Sequence, residues 1–471
     1  MPDTASVSKK VIVLILLVCL LTRVYALSAR PVDHDESIHA WLSYVLEKTG
    51  KYHYDPTYHG PLLYHLSAAV FYLFGDSIFN GRMIIALFSV MGVFFALLYR
   101  RWMGKNVYIF VFVLIFSPAI LYYSRYMRND MILVPCFIAA IYFYLRYTET
   151  SKPYFAFASS FFLTLMVCSK ENACIYLFIF LTFPLVYGIY RDGFFYVRDK
   201  LLKWDRNKLI TLAGCVAVYL FVFSFFYTSA FRRPYGLYEG TFGAIEYWLK
   251  MHELRDHWAP IYFYTKIFLE YEFLSLGLFI GGAIVFVKRF LKKLPSRLEA
   301  LAFYWAVMSL IAYHVLNHKV PWLTVHMVAP MALLGSIYYR DRKETRIALA
   351  IAMVATAAVA VHLCYVDYNN WKEDLVYIQA QPSIVKLANK LIQLKKEGYS
   401  ILIYEPENDY WPLPWYLRHY YIAYSSHWIP GFDYVVTTIR ALSQVEKHGY
   451  KVIGVYQGRP GWYYYLMKKV S

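Results

Sequence analysis

Residues 11–27 read VIVLILLVCLLTRVYAL, with Lys9 and Lys10 directly before them. An apolar run of this kind approaches the roughly 20 residues that a helix needs to cross a bilayer core. A basic start before an apolar run also opens a signal peptide. Here no small-residue cleavage site follows, and the chain continues through Arg30, Pro31 and an acidic cluster. The stretch therefore predicts an uncleaved first span entering from the cytoplasm. Further spans are expected at 82–100, 107–123, 130–147, 153–168, 172–190, 209–228, 267–287, 298–316, 322–339 and 346–366, eleven in all. Pro61–Gly75 is apolar but short and carries His65, which predicts a helix lying near the interface.

The whole chain agrees with its first block. Of 471 residues 59% are hydrophobic and only 17% charged, against about 25% charged in a soluble domain. Mean hydropathy is +0.38. A string of soluble domains is excluded, and the expected fold class is an α-helical polytopic membrane protein. The formal charge of +17 would suggest nucleic acid in a soluble protein. Here the basic clusters fall on alternate connections, at Arg100-Arg101 with Lys105, Arg191 to Lys208, Lys288 to Arg297, and Arg340 to Arg346. The positive-inside rule puts these on the cytoplasmic side, with the N-terminus inside and the C-terminal tail outside. No nucleic-acid partner is expected; the partner implied directly is the lipid bilayer of the cell membrane.

Cys19, Cys136, Cys168, Cys174, Cys215 and Cys364 lie in or beside apolar blocks without metal-ligand spacing, and read as small hydrophobes. Tyr is over-represented at 48 residues, more than interfacial belts require, which suggests wet aromatic surfaces outside the hydrocarbon. From about residue 367 the pattern changes. Helical periodicity at Ile384–Leu394 is followed by β-type runs at Ser400–Tyr404, Tyr434–Thr438, Tyr450–Tyr456 and Trp462–Leu466, with helical candidates at Trp415–Tyr420 and Ile439–Lys447. This predicts a transmembrane domain over 1–366, with an extracytoplasmic first loop at 30–80, and a small extracytoplasmic α/β domain over 367–471.

In this topology the polar chemistry collects on the outer side. The first loop carries Asp33-His34-Asp35-Glu36-Ser37-Ile38-His39, and later Tyr52 through Tyr58, His59, Gly60 and Pro61. Other outer turns hold Ser124 to Asp130 with Arg125 and Arg128, Ser169 to Asn172 with Lys170, His252 to Trp258, and Asn317 to Trp322 with Lys319. Blander readings accompany each. Asp33-x-x-Glu36 is a capping box for a helix over Ser37–Lys48; the arginines can anchor a span end, the lysines can snorkel, and single histidines mostly serve as hydrogen-bonded interface residues. A divalent metal is left open, with Asp33, His34 and His39 as candidate ligands; no other cofactor is indicated.

Together these residues say more than they do singly. A carboxylate beside other carboxylates and an apolar surface has its pKa raised, which suits a general base. Fixed cations nearby would stabilise a phosphate leaving group, and Tyr and Trp faces suit sugars or lipid head groups. The chain lacks GxxxxGK[ST], GxSxG and HExxH, so the energy for any transfer comes with the substrate. A lipid-linked activated sugar meets that requirement.

Asp35-Glu36 after span one, the Gly60–Tyr64 string, Phe74-Gly75-Asp76-Ser77, Arg82, and the turn with Arg125, Arg128 and Asp130 together resemble the GT-C superfamily of membrane glycosyltransferases. The resemblance is to its protein O-mannosyltransferase and aminoarabinose-transferase branch, and covers roughly residues 10–190. Asp55 to Pro61 and Asn408 to Arg418 are most similar to archaeal flippase-activity-associated N-glycosylation proteins. The resemblance implies a GT-C-like fold and Asp35 as catalytic base with Glu36 beside it. It implies Asp130 as a second site carboxylate, and Arg82, Arg125 or Arg128 neutralising the phosphate of a polyprenyl- or dolichyl-phosphate sugar. Lys170 and Lys319 are further candidates for that role, and Tyr58 and His59 for substrate contact. An α/β tail stands where eukaryotic protein mannosyltransferases carry a β-trefoil. The expected function is inverting transfer of a sugar to a hydroxyl of a glycan or protein acceptor at the outer face. The alternative is a non-catalytic protein that binds lipid-linked oligosaccharide in association with flipping.

Overall fold

Backbone N–H and C=O groups in hydrocarbon must be satisfied within the chain, so apolar blocks become helices. The computed structural model describes residues 9–202, 205–253, 258–377 and 379–470. The principal helices in chain order are α1 (Lys9–Val24), α2 (His34–Thr49), α3 (Leu62–Phe74), α4 (Ile78–Leu98), α5 (Val107–Phe116), α6 (Pro118–Tyr123), α7 (Asp130–Thr150), α8 (Pro153–Val167), α9 (Ala173–Asp192), α10 (Arg206–Tyr227), α11 (Phe273–Phe290), α12 (Arg297–Val315), α13 (Val325–Tyr338), α14 (Lys343–Val361) and α15 (Pro382–Lys396). Of the expected outer string His252 to Trp258, residues 254–257 lie outside the described residues, as do 203–204 of the basic stretch Arg191 to Lys208.

The expectation of eleven full-length spans needs correcting. Among the described residues, seven stretches are long and apolar enough to cross a membrane: Ile78–Phe116, Asp130–Thr150, Ala173–Asp192, Arg206–Tyr227, Phe273–Phe290, Arg297–Val315 and Lys343–Val366. The shorter apolar helices are Leu62–Phe74 and Pro153–Val167. The chain is thus a multi-pass membrane protein with fewer long spans than hydropathy alone suggests. Four expected blocks are not separate long spans: 11–27 yields only the 16-residue α1, 107–123 runs on from 82–100 up to Phe116, 153–168 yields the 15-residue α8, and 322–339 is shortened. The block expected at 107–123 breaks at Ser117-Pro118, where proline lacks the N–H that would continue the helix. The block at 322–339 opens with a tight turn over Pro321–Thr324, leaving 14 residues in α13.

The break between α5 and α6 explains two charges that hydropathy places inside spans. Arg23 of α1 donates to the carbonyls of Leu114 (2.7 Å) and Ile115 (2.9 Å), at the end of α5. Glu272, just before α11, accepts from the Ser117 hydroxyl (2.5 Å) and the Ala119 N–H (2.9 Å), at the start of α6. A guanidinium on orphan carbonyls and a carboxyl group at an orphan N–H satisfy the groups that a helix break leaves unpaired. Both side chains are fully buried.

The expected cysteine burial holds for Cys19, Cys136, Cys168 and Cys364, whereas Cys215 is half-buried and Cys174 exposed. The basic connections meet at one end of the bundle, where Asn106 donates to the Tyr339 carbonyl (2.9 Å) and Tyr187 to that of Pro295 (3.1 Å). The N-terminal ends of α4, α7, α9 and α13 gather at the other end, under α2 and α3.

The tail forms one five-stranded mixed sheet in the order β2-β1-β3-β5-β4, from β1 (Ile401–Tyr404), β2 (Ala423–Ser425), β3 (Tyr434–Thr438), β4 (Tyr450–Arg459) and β5 (Trp462–Lys469). β1 is parallel to β2 and β3, and β5 is antiparallel to β3 and β4. β2 was not anticipated: three half-buried residues, Ala423, Tyr424 and Ser425, carry no alternation to read. The apolar side of α15 (Ile384, Leu387, Ala388, Leu391) packs on Ile401, Ile403, Val436 and Leu466 of the sheet. The tail docks on the first loop. Val32 N–H donates to Tyr416 (2.8 Å), Arg418 to the Asp76 carbonyl (2.5 Å), and Gln379 to that of Pro31 (2.9 Å).

Candidate active site

Asp33 caps α2 by accepting from the Glu36 N–H at 2.9 Å. Only half of the expected capping box forms, because the Glu36 side chain turns the other way. Its carboxylate takes Arg82 Nε at 2.7 Å and Nη2 at 2.6 Å, and accepts the Met127 N–H at 2.9 Å. Arg82 completes the knot by donating to the carbonyls of Leu27 (2.7 Å) and Arg30 (3.0 Å). Arg125 likewise donates to the carbonyls of Arg23 (2.8 Å) and Tyr25 (2.7 Å), at the end of α1. Both guanidinium groups are committed to the backbone around the first loop. Of the expected arginines and lysines, that leaves Arg128 and Lys170 beside Asp35 and Asp130.

Asp35 is one residue earlier on α2 and points outward, its side chain 42% exposed. It belongs to a line of alternating charges running from the tail into the bundle. Arg459 pairs with Asp409 at 2.5 Å, Asp409 with His34 at 3.3 Å, and His34 with Asp35 at 3.0 Å. Asp35 pairs with Arg128 at 2.7 Å. Arg128 Nε lies 3.9 Å from Asp130, and both Asp130 oxygens take Lys170 Nζ at 2.9 Å. Buried His326 also reaches Asp130, at 3.1 Å, and is held from behind by Tyr176 at 2.7 Å. The Arg128 guanidinium stacks 3.7 Å over the Trp322 ring, a geometry that suits arginine's planar, weakly hydrated cation.

The electrostatics correct one expectation. Burial opposes ionisation of Asp35, but Arg128 and His34 outweigh it and hold the carboxyl well below the usual range. The carboxyl that rises is Asp33, through burial and the neighbouring Asp35 and Glu36. Burial works against His34 too, yet Asp35 and Asp409 hold its imidazole up at about 9, so it is a cation at neutral pH. Burial and the nearby His59 and Arg128 push His39 well down, leaving it neutral.

The remaining expected residues lie around this line. His39 bonds Tyr64 at 2.7 Å, and His59 bonds Glu171 at 2.9 Å. Tyr58 is half-buried in a short turn over Pro56–Tyr58, and its carbonyl accepts from Tyr64 at 2.5 Å. Gly60 and Leu62 donate to the carbonyls of Ser169 (2.9 Å) and Cys168 (2.8 Å), which ties the first loop to the turn bearing Lys170 and Glu171. Lys319 donates to the Leu316 carbonyl at 2.6 Å, apart from the charge line. Among the described residues, no three His, Cys, Asp or Glu side chains are grouped to hold a metal ion. The candidate set Asp33, His34 and His39 disperses into a cap, an ion pair and a hydroxyl partner.

Sequence reading missed His326, Tyr176, Glu171 and Asp409. Asp409 stood within a quoted string without a role, and His326 had only the signal of a lone imidazole in an apolar run.

ArnT from Cupriavidus metallidurans superposes with a TM-score of 0.67 in the apo state, at 14% identity over 98% of both chains. The chain has the ArnT fold. ArnT bound to undecaprenyl phosphate superposes with a TM-score of 0.66, at 15% identity and the same coverage. Residues 58–227 of this ArnT-like chain match the family described as dolichyl-phosphate-mannose-protein mannosyltransferase. No curated protein sequence matches the chain.

Proposed function

We propose that this chain is an inverting glycosyltransferase that moves a sugar from a polyprenyl-phosphate donor to a hydroxyl acceptor at the outer membrane face. The observation that carries the reading is the half-exposed Asp35 carboxylate, paired with Arg128 and backed by Asp130 and Lys170. It puts a proton acceptor and two phosphate-sized cations within one cluster. The family match over residues 58–227 and the likeness to ArnT, solved with a lipid phosphate, support the donor class.

In this reaction the acceptor oxygen bonds to the anomeric carbon while Asp35 takes its proton. The bond from that carbon to the phosphate oxygen breaks, and the lipid phosphate departs with the electron pair. A single displacement inverts the carbon. Arg128 and Lys170 balance the charge left on the phosphate. Asp35 rests at a low pKa because Arg128 pairs with it. A phosphate that draws Arg128 away weakens that pairing and makes the carboxylate a better base as donor binds. Tyr58 and His59 are the proposed sugar contacts. Positive ends at the opposite pole support a cytoplasmic N-terminus and an extracytoplasmic tail over 367–471. Asp55 to Pro61 and Asn408 to Arg418 support the finer placement among archaeal flippase-associated glycosylation proteins.

Purified protein given radiolabelled polyprenyl-phosphate sugars and a panel of glycan and peptide acceptors is expected to release lipid phosphate. Asp35→Asn should cut that release by about 10²–10⁴-fold, the usual size of a lost general base, and leave donor binding intact. Donor binding with no release by the wild type across the panel would sink the transferase reading and favour a lipid-linked oligosaccharide binding protein.

A further inference from the structure

A cleft of about 270 Å³ opens between α2 and the tail, lined among others by Trp41, Tyr410, Trp411, Arg418, Tyr421 and Tyr424. Apart from Arg418, which docks the tail on the first loop, none of these was assigned a role above. We infer that this cleft is a carbohydrate subsite that holds the acceptor as a glycan, with its sugar rings against the aromatic faces. The inference rests on the transferase reading for what the bound sugar is used for, and on the cleft itself for the binding.

Three observations point to a sugar. First, the rings form a continuous track: Trp41 meets Trp411 at 6.5 Å, Trp411 meets Tyr410 at 6.1 Å, and Tyr410 meets Tyr424 at 5.0 Å. An aromatic face is negative at its centre, so the C–H groups on one face of a pyranose dock there while its hydroxyls stay free. Second, the cleft has polar tips and a fixed donor beside its rings. Tyrosines supply hydroxyls, Tyr421 is 89% exposed, and Arg418 is anchored by the Asp76 carbonyl and carboxylate. Apolar walls with a few convergent polar groups make a small-molecule site. Third, the cleft adjoins the charge line through the chain. Asp409, adjacent to Tyr410, pairs with His34 beside Asp35. Trp41 sits on the same helix as Asp35, about 9 Å further along at the α-helical rise, a distance a short oligosaccharide spans.

The competing occupant is the membrane interface, which also gathers Trp and Tyr. A concave cleft whose Tyr410 follows Asp409 of the charge line favours the sugar over a flat head-group layer.

The test uses the full chain in detergent without donor lipid, so its outcome does not depend on whether Asp35 transfers sugar. Titration with N-acetylchitobiose, mannobiose, maltose and lactose is expected to give a saturable change in tryptophan fluorescence with at least one of them. Trp41→Ala and Tyr410→Ala should each weaken that binding by about tenfold, the scale of one lost aromatic contact in a recognition site. Tyr72→Ala, an exposed ring at the end of α3, should leave it unchanged. No saturable binding to any of the four overturns the inference, as does an equal loss in all three variants. Disaccharide binding unaltered in both Trp41→Ala and Tyr410→Ala overturns it in favour of a membrane contact.

Discussion

Glu36 and Arg82 face each other as a bidentate pair, with contacts of 2.7 and 2.6 Å and both side chains fully buried. Adjacent acids on α2 thus do opposite work. Asp35 faces out and pairs with Arg128, whereas Glu36 faces in and ties together the first loop, α4 and the turn at Met127. Removing one partner of a buried pair leaves an uncompensated charge, at about 3–5 kcal/mol. Arg82→Ala and Glu36→Ala are therefore expected to lower the thermal unfolding temperature sharply or abolish monodisperse protein. Arg82→Lys should restore little, since a point charge cannot serve the carboxylate and the Leu27 and Arg30 carbonyls together. A stable, folded Arg82→Ala protein that fails only in donor binding would show that Arg82 works at the phosphate instead.

Gly60 offers a test of how the first loop is seated. A Cβ built there would lie 2.3 Å from the Cys168 carbonyl oxygen, a backbone atom that cannot swing away. Gly60→Ala is expected to cost about 1–3 kcal/mol, as overpacking does, and to separate the loop from the turn carrying Lys170. Gly277 in α11 has open space around its position, so Gly277→Ala should leave the unfolding temperature unchanged or raise it. Equal unfolding temperatures for the two variants would contradict the close approach.

Arg128 has a shape requirement as well as a charge. Its guanidinium reaches Asp35 and Asp130 while stacked on Trp322. Arg128→Lys keeps the charge and loses the planar stack and the second reach. Donor-dependent phosphate release is expected to fall by about 10–100-fold, in line with a charged hydrogen bond worth roughly 1.5–3 kcal/mol. The unfolding temperature should move little. Full activity in Arg128→Lys would mean that a diffuse positive charge is sufficient.

Much of this architecture was legible in the sequence because its signals are local. The apolar blocks, α2 (though it begins at His34 and not at Ser37), the short helix after Pro61 and four of the five strands each follow from a pattern within one segment. What could not be read was the partner across space. The sequence marks Glu36 only as a cap partner of Asp33; the arrival of Arg82 from α4 shows it as a buried tie of the scaffold. The same holds for His326, which reaches Asp130 from α13, and for Asp409, which completes the charge line from the tail. The pKa order reversed for that reason. Like charges adjacent in sequence suggested a raised Asp35, but Arg128 and His34 supply the larger effect at close range.

His34 makes the joint between tail and helices sensitive to pH. Its imidazole is cationic because Asp35 and Asp409 hold its pKa at about 9, above the ordinary 6.5. For a group raised on folding, the stabilisation is complete below the unfolded value, declines between the two, and is gone above the folded value. The His34–Asp409 link should therefore weaken as pH rises from 6.5 through about 9. The unfolding temperature is expected to fall across that window, and hydrogen exchange in β1 and β2 to speed up. His34→Asn and Asp409→Asn should each lower the starting value and flatten the slope. The same slope in His34→Asn as in the wild type would assign the pH response to another group.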